Sequence, residues 1–281
     1  MEKIDSSVPS EWDEIERGIK AEGFIASACD LLRPAMIASL GGWYEPARRL
    51  NRLAMKQYMS ATRLLAGRKI GDPLARGIQL FPRCLSAYQS TLILVERGAG
   101  QDALLHVRTI YETTFWIGFL VKYPQKAETH LRRRADNSRR QRFRAVLEAG
   151  PNVDDEVREA ALAGMRNVGP KPKDGRDIEM AQIARLGDCT LEYLHYLDLS
   201  DTAAHASLAS IFSHLSRDDH GAYNGHQYGP NIEAAGKAIK LGSHAMFSAL
   251  SHFQRLTRIP IDEAENLAIN DMFNSLDTTS N

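Results

Sequence analysis

Hydrophobic positions recur at spacings of three and four residues along almost the whole chain, which is the period of an amphipathic helix. Strict alternation of apolar and polar positions is nearly absent, and Asn224-Gly225 lacks the alternating flanks of a hairpin. The pattern therefore predicts an all-α fold, an irregular multi-helix bundle with no sheet. The predicted helices lie at about 10–22, 35–68, 73–98, 101–123, 125–149, 153–167, 177–198, 202–216, 230–257 and 261–274.

Two local signals refine the third of these helices. Asp72 can accept hydrogen bonds from the first turn, while Pro73 occupies the first helical position, where its missing N–H costs nothing. Pro82 lies inside the same pattern, so we expect a kink or break near Leu80.

The chain is predicted to form one helical domain in three parts. We expect residues 1–70 to form helices that pack on the core or at a dimer interface. Residues 71–258 form the predicted helical core domain, built around helix 101–123. Residues 259–281 are predicted to be a C-terminal helix and a frayed tail.

Composition limits the class of protein. Hydrophobic residues make up 43% of the 281 residues and charged residues 25%, which is typical of a soluble globular protein. The 35 basic and 35 acidic residues cancel, so no global field attracts nucleic acid or an anionic membrane. The chain carries no DNA-binding motif, and its longest apolar stretch, 115–121, is far shorter than the roughly 20 residues of a membrane span. Three separated cysteines fit a reducing compartment, which predicts a cytoplasmic protein.

The strongest candidate chemistry lies on helix 101–123. Arg108 and Glu112, one helical turn apart, are its only full charges between Ala103 and Val121, and they point into an apolar sector. Charges without water are costly unless they are paired, so we expect the two to be buried and bonded to each other. This pair either fixes the register of the helix or belongs to a ligand or catalytic site.

The next candidate is a histidine, which either is a satisfied core residue or joins this pair. An apolar stripe at positions 208, 211, 212 and 215 predicts an inward helical face, with His205 on its edge and Ser200 as the cap. Arg108, Glu112 and His205 together would have the charge and proton-transfer capacity of a catalytic site.

These residues also carry a family resemblance. Arg108-x-x-x-Glu112 in an apolar run, followed by Tyr196, Ser200 and the His205-Ala-Ser segment, resembles the bacterial domain-of-unknown-function family 5677 over roughly residues 75–255. The resemblance implies an all-helical bundle with a shared polar cluster and no established reaction. The spacing from Ser200 to His205 is longer than in the expected pattern.

A looser comparison is with HEPN-type helical ribonucleases. These enzymes need an arginine and then a histidine four to six residues later on one helix, and none of the nine histidines has an arginine at that distance. Only an atypical RNA-cleaving arrangement remains open, with Arg108 and His205 on different helices.

Histidines concentrate in the second half of the chain. The segment 216–230 is rich in glycine, tyrosine and histidine, and His220 and His226 in it could contact a ligand. Glu192-x-x-His195 matches one di-iron motif, but such bundles need two, so we predict no metal. A metal-dependent hydrolase that uses this loop remains an alternative, as does a plain connection.

The run of seven arginines in 132–144 spreads around its helix and lies near carboxylates, which favours a solvated hairpin over a nucleic-acid surface.

The leading hypothesis is a binding or regulatory protein for a small or nucleotide-like anion. Arginine would hold the anion, and histidine could exchange a proton with it. Whether the protein is an enzyme, and which cofactor it uses, stays open. A homodimer and a nucleotide or RNA ligand are the partners considered, and a structural scaffold is the third option. The predicted ligand-binding residues are Arg108, Tyr111, Tyr196, Ser200, His220 and His226.

Overall fold

The computed structural model describes residues 11–168, 177–204, 207–212, 214–226 and 229–278. These residues are mainly helical, and the predicted all-α multi-helix bundle is confirmed. The helices are α1 (Glu11–Glu22), α2 (Leu32–Ser39), α3 (Tyr44–Ala61), α4 (Pro73–Glu96), α5 (Gly100–Lys122), α6 (Pro124–Glu148), α7 (Asp155–Val168), α8 (Met180–Leu186), α9 (Thr190–Leu199), α10 (Leu208–Phe212), α11 (Ile232–Thr257) and α12 (Glu263–Thr278).

The centre of the bundle is formed by α4, α5 and α11, which pack on one another. Helix α5 is apolar around almost its whole circumference, so burial on several sides is the arrangement that removes most of its surface from water. Phe81 of α4 and Phe253 of α11 stack with ring centres 3.9 Å apart, and both are fully buried. Helix α5 is therefore the central element of the core.

Two glycines allow close approach to α5. A Cβ atom at Gly118 would lie 2.5 Å from the carbonyl oxygen of Gly187, which follows α8. A Cβ atom at Gly100 would lie 2.3 Å from the backbone nitrogen of Ala235 in α11. Both distances are below any real Cβ contact, so these crossings depend on glycine.

Helix α4 begins as predicted but does not break. The Asp72 side chain accepts hydrogen bonds from the backbone N–H groups of Leu74 (2.9 Å) and Ala75 (3.1 Å). The helix then continues through Pro82 to its end at Glu96, so the expected break near Leu80 is wrong. Burial of α4 against its neighbours offsets the loss of one backbone hydrogen bond.

Two predicted helices are each divided in two. The segment 35–68 is interrupted between α2 and α3, where Gly41 and Gly42 take positive φ angles of 57° and 90° that favour glycine. The segment 177–198 is interrupted between α8 and α9, where Asp188 adopts φ 59°.

The predicted helix 202–216 is the largest error. A π-helical turn (Ser200–Ala204) follows α9, and after the short α10 a strand β1 (Leu215–Arg217) pairs antiparallel with β2 (Tyr223–His226). Leu208, Ile211 and Phe212 are 70%, 50% and 48% exposed, so the predicted inward stripe faces solvent. Periodicity shows that an apolar side exists but cannot show that the core lies against it. His205, which was placed by this stripe, lies outside the described residues.

Helices from both ends of the chain contact each other beside the core. Arg49 of α3 forms a 2.6 Å ion pair with Glu265 of α12, and the rings of Trp43 and Phe273 lie 5.4 Å apart. The division into 1–70, 71–258 and 259–281, with its dimer interface, remains a prediction. Among the helices that the structure describes, none combines the length and apolarity needed to cross a bilayer.

Candidate functional site

Arg108 and Glu112 form an ion pair on α5, as predicted. Nη1 of Arg108 lies 3.4 Å from Oε2 of Glu112, which is the separation expected of side chains one turn apart. Each side chain is 19% exposed, so the pair is largely but not completely shielded from water. The outer edge of the pair can therefore reach a molecule in solution.

Helix α9 and the turn that follows it supply one hydroxyl group each to Arg108. Nη2 donates a 2.7 Å hydrogen bond to the Tyr196 hydroxyl, and Nε donates a 2.9 Å bond to Oγ of Ser200. The guanidinium also lies over the Tyr196 ring, 4.6 Å from its centre. Arg108 thus joins α5 to the end of α9.

The sequence predicted that Ser200 caps the next helix, and this prediction is wrong. Its hydroxyl donates a 2.7 Å hydrogen bond to the carbonyl of Tyr196, which leaves the oxygen to accept from Arg108. Ser200 begins the π-helical turn, and such turns frequently lie at functional sites.

A second arginine shares the carboxylate. Arg134 of α6 places Nη2 3.6 Å from Oε1 of Glu112. Two guanidinium groups therefore contact one carboxylate. The three groups together carry a net charge of one positive unit. We name Arg108, Glu112, Arg134, Tyr196 and Ser200 the arginine cluster.

Counted over the contacts of the described residues, the arginine cluster retains hydrogen-bond donors that are not used. A guanidinium has five N–H groups, and the three bonds of Arg108 leave two. The Tyr196 oxygen accepts from Arg108, so its own proton can be donated elsewhere. Arg134 is 45% exposed beside them. Spare donors with one excess positive charge can bind an anion.

The other predicted residues lie apart from this cluster in the described structure. Tyr111 is buried, and its hydroxyl donates a 3.2 Å bond to the carbonyl of Leu241. Burial raises the pKa of Tyr111 above its usual value, so the phenol stays protonated. His220 and His226 lie on the exposed β1–β2 hairpin, and neither is among the described partners of Arg108.

Within the described part of the chain, no group of three or more His, Cys, Asp or Glu side chains could hold a metal ion. Glu192 accepts a 2.9 Å bond from Ser248 instead, and the His195 ring lies 6.0 Å from that of Tyr111.

A second feature, which the sequence interpretation missed, is a cleft of about 690 Å³ beside α9, α11 and α12. We name it the polar cleft. Its signal in the sequence is the spacing of Asn266, Asn270 and Asn274, which places three amides on one face of α12. Polar residues at helical spacing are normally interpreted as a solvent face. The cleft is lined by Tyr111, Asp188, Leu191, Glu192, His195, His244, Phe247, Ser248, Ser251, His252, Arg255, Asn266, Asn270, Phe273 and Asn274.

A cysteine and a histidine meet next to this cleft. Sγ of Cys189 lies 3.3 Å from Nε2 of His252, and Nη2 of Arg255 lies 3.0 Å from Nδ1 of the same ring. A guanidinium can only donate, so Nδ1 accepts and the ring proton is on Nε2, facing the sulfur. Burial, and then the charge of Arg255, lower the pKa of His252 to about 4.

This arrangement does not make a nucleophile of Cys189. Nε2 of His252 already carries a proton and cannot accept one from the thiol. Burial raises the pKa of Cys189, which opposes formation of the thiolate. The contact therefore orders the cleft wall without activating the sulfur.

Comparison with known proteins yields one family. The model of the Family of unknown function (DUF5677) matches residues 75–222, which is more than half of the chain. The match covers α4 to α10 and includes every residue of the arginine cluster. No curated protein and no solved structure matches the chain.

Proposed function

We propose that this chain, which belongs to the DUF5677 family, is a binding or regulatory protein whose arginine cluster takes up a small or nucleotide-like anion. The observation that carries the proposal is the sharing of one carboxylate, that of Glu112, by Arg108 and Arg134. The second guanidinium leaves a positive charge that an anion would neutralise.

The described contacts suggest how the anion would be held. The remaining N–H groups of Arg108 and the proton of Tyr196 can donate to its oxygens, because no described group accepts from them and Arg108 is 19% exposed. Arg134, on the exposed surface of α6, adds charge without being needed for the α5–α9 contact. Oxygen-rich anions such as phosphate esters match this set of donors.

Proton exchange with the anion would require His205, which lies outside the described residues, so the proposal favours binding over turnover. The alternative of an atypical RNA-cleaving effector uses the same arginine and becomes an outcome of the test. A metal-dependent hydrolase has no comparable support from the described residues.

The decisive experiment compares two arginines on one helix. Arg134→Gln removes the second charge of the cluster, whereas Arg142→Gln removes an exposed charge of α6 that has no described partner. Pyrophosphate and ATP are titrated into each protein by calorimetry. We expect binding by the wild type and by Arg142→Gln, and affinity lower by roughly tenfold in Arg134→Gln, as befits a lost charged hydrogen bond.

Equal affinities of the two variants, or no binding of either probe by the wild type, would refute the proposal. Incubation of the wild type, Arg108→Gln and His205→Ala with RNA separates the alternative, because cleavage that is lost in both variants would identify an effector nuclease. Cleavage that is identical in all the proteins would mark a contaminating activity and remove that alternative.

A further inference from the structure

We infer that the polar cleft is a second binding site, separate from the arginine cluster, and that it takes a small uncharged molecule with several hydroxyl groups and one apolar face. Its volume of about 690 Å³ lies within the range of small-molecule sites. The inference is independent of the proposed function, because none of the five residues of the arginine cluster lines this cleft.

The amides of α12 form one wall. Asn266, Asn270 and Asn274 follow one another at intervals of four residues, which places them about 6 Å apart along one side of the helix. Among the described contacts, none of these three side chains forms a hydrogen bond within the protein. Each amide offers both donors and an acceptor. A hydroxyl group is also both donor and acceptor, so a ligand with several hydroxyls can satisfy this row.

Helix α11 forms another wall with a similar chemistry. The exposed hydroxyl of Ser251 has no described partner, and Ser248 is oriented by its 2.9 Å bond to Glu192. A wholly apolar ligand would remove these groups and the amides from water without replacing their hydrogen bonds, which costs free energy. The walls therefore select a polar ligand.

The charges of the cleft are balanced. Its two carboxylates are Asp188, which pairs with Lys122 at 2.5 Å, and Glu192. Its guanidinium is that of Arg255, so the two negative charges are matched by Arg255 and Lys122. A ligand with a net charge would add an unmatched charge to this site, whereas a neutral ligand would not.

Aromatic rings supply an apolar surface between these walls. Phe247 of α11 and Phe273 of α12 line the cleft with ring centres 5.5 Å apart, and Tyr111 contributes a third ring. A ligand with one apolar face could pack that face on these rings, while hydroxyl groups on its edge hydrogen-bond to the polar walls. Sugars and the ribose-bearing nucleosides share this chemistry.

The test uses glucose, maltose and adenosine as neutral probes and glucose 6-phosphate as a charged one. Binding is measured by saturation-transfer NMR on the full chain, followed by titration of the best probe. We expect at least one neutral probe to bind the wild type and glucose 6-phosphate to bind no better than glucose. Binding of glucose or maltose indicates a saccharide site, and binding of adenosine alone indicates a nucleoside site.

Matched variants connect the binding to the cleft. We expect the double variant Asn266→Ala/Asn270→Ala to bind the best probe with roughly tenfold lower affinity, since two neutral hydrogen bonds are lost. Asn152→Ala removes the same amide from an exposed turn that does not line the cleft, and should bind as the wild type does. Asn270→Trp should also reduce binding, because it fills the cleft without relying on a lost hydrogen bond.

Three results would overturn the inference. No neutral probe binds, only the charged probe binds, or the Asn266→Ala/Asn270→Ala protein binds with wild-type affinity. Arg134→Gln should leave the neutral probe's affinity unchanged, so this result and the anion titration can fail separately.

Discussion

The guanidinium of Arg108 and the phenol of Tyr196 are linked in two ways, by a 2.7 Å hydrogen bond and by the position of the cation 4.6 Å from the ring centre. The two residues are 88 positions apart in the chain, on α5 and α9. The contact holds the C-terminal end of α9, where the π-helical turn begins, against the core helix.

Tyr196→Phe tests this link. The variant keeps the ring beneath the guanidinium but removes the hydroxyl that accepts from Arg108, so we expect a loss of about 1 kcal/mol in the free energy of unfolding. Tyr193→Phe is the matched control, because Tyr193 stacks on Tyr196 and its hydroxyl has no described hydrogen bond. Denaturant titration of both variants gives the comparison. Equal stabilities would show that the hydroxyl bond contributes nothing measurable.

His252 predicts a dependence of stability on pH. Its pKa of about 4 in the folded protein lies below its ordinary value of 6.5, so the unfolded chain binds this proton first as the pH falls. The contribution to stability is complete above pH 6.5 and is lost progressively between about 6.5 and 4. By linkage the loss is about 3 kcal/mol at most.

The variant His252→Gln cannot take up this proton, so its stability should fall less between pH 7 and pH 4.5 than that of the wild type. Chemical denaturation at several pH values measures the difference, and the other histidines contribute to both proteins alike. A His252 ring that NMR shows to be protonated at pH 5.5 in the folded wild type would contradict the low pKa.

Gly118 predicts a steric limit at the crossing of α5 with the turn after α8. Gly118→Ala places a Cβ 2.5 Å from a backbone oxygen that cannot move independently, so we expect destabilisation by about 2 kcal/mol or more. Gly236→Ala, on α11, meets nothing within 4 Å and should stabilise by about 0.5–1 kcal/mol through higher helix propensity. Thermal unfolding of both variants checks the opposite signs. A Gly118→Ala protein as stable as the wild type would show that the crossing adjusts.

The sequence by itself determined the helical character of the chain, the N-terminal cap at Asp72, and the pairing of Arg108 with Glu112. These features depend on residues within one or two helical turns, where spacing fixes geometry. The family was also named from short motifs, around Arg108 and Glu112 and in the segment from Tyr196 to Ser207, and the family model confirms it.

Only the tertiary structure decided which groups reach the Arg108–Glu112 pair. Tyr196 and Ser200 were named from the sequence, but without distances, and Arg134 was not anticipated. The positions of all three depend on how whole helices pack. The polar cleft is a property of the space left between helices, which no single helix encodes. The exposed apolar stripe of α10 has the same explanation. The sequence of a helix shows that it has an apolar side, but the packing of its neighbours determines whether that side is buried.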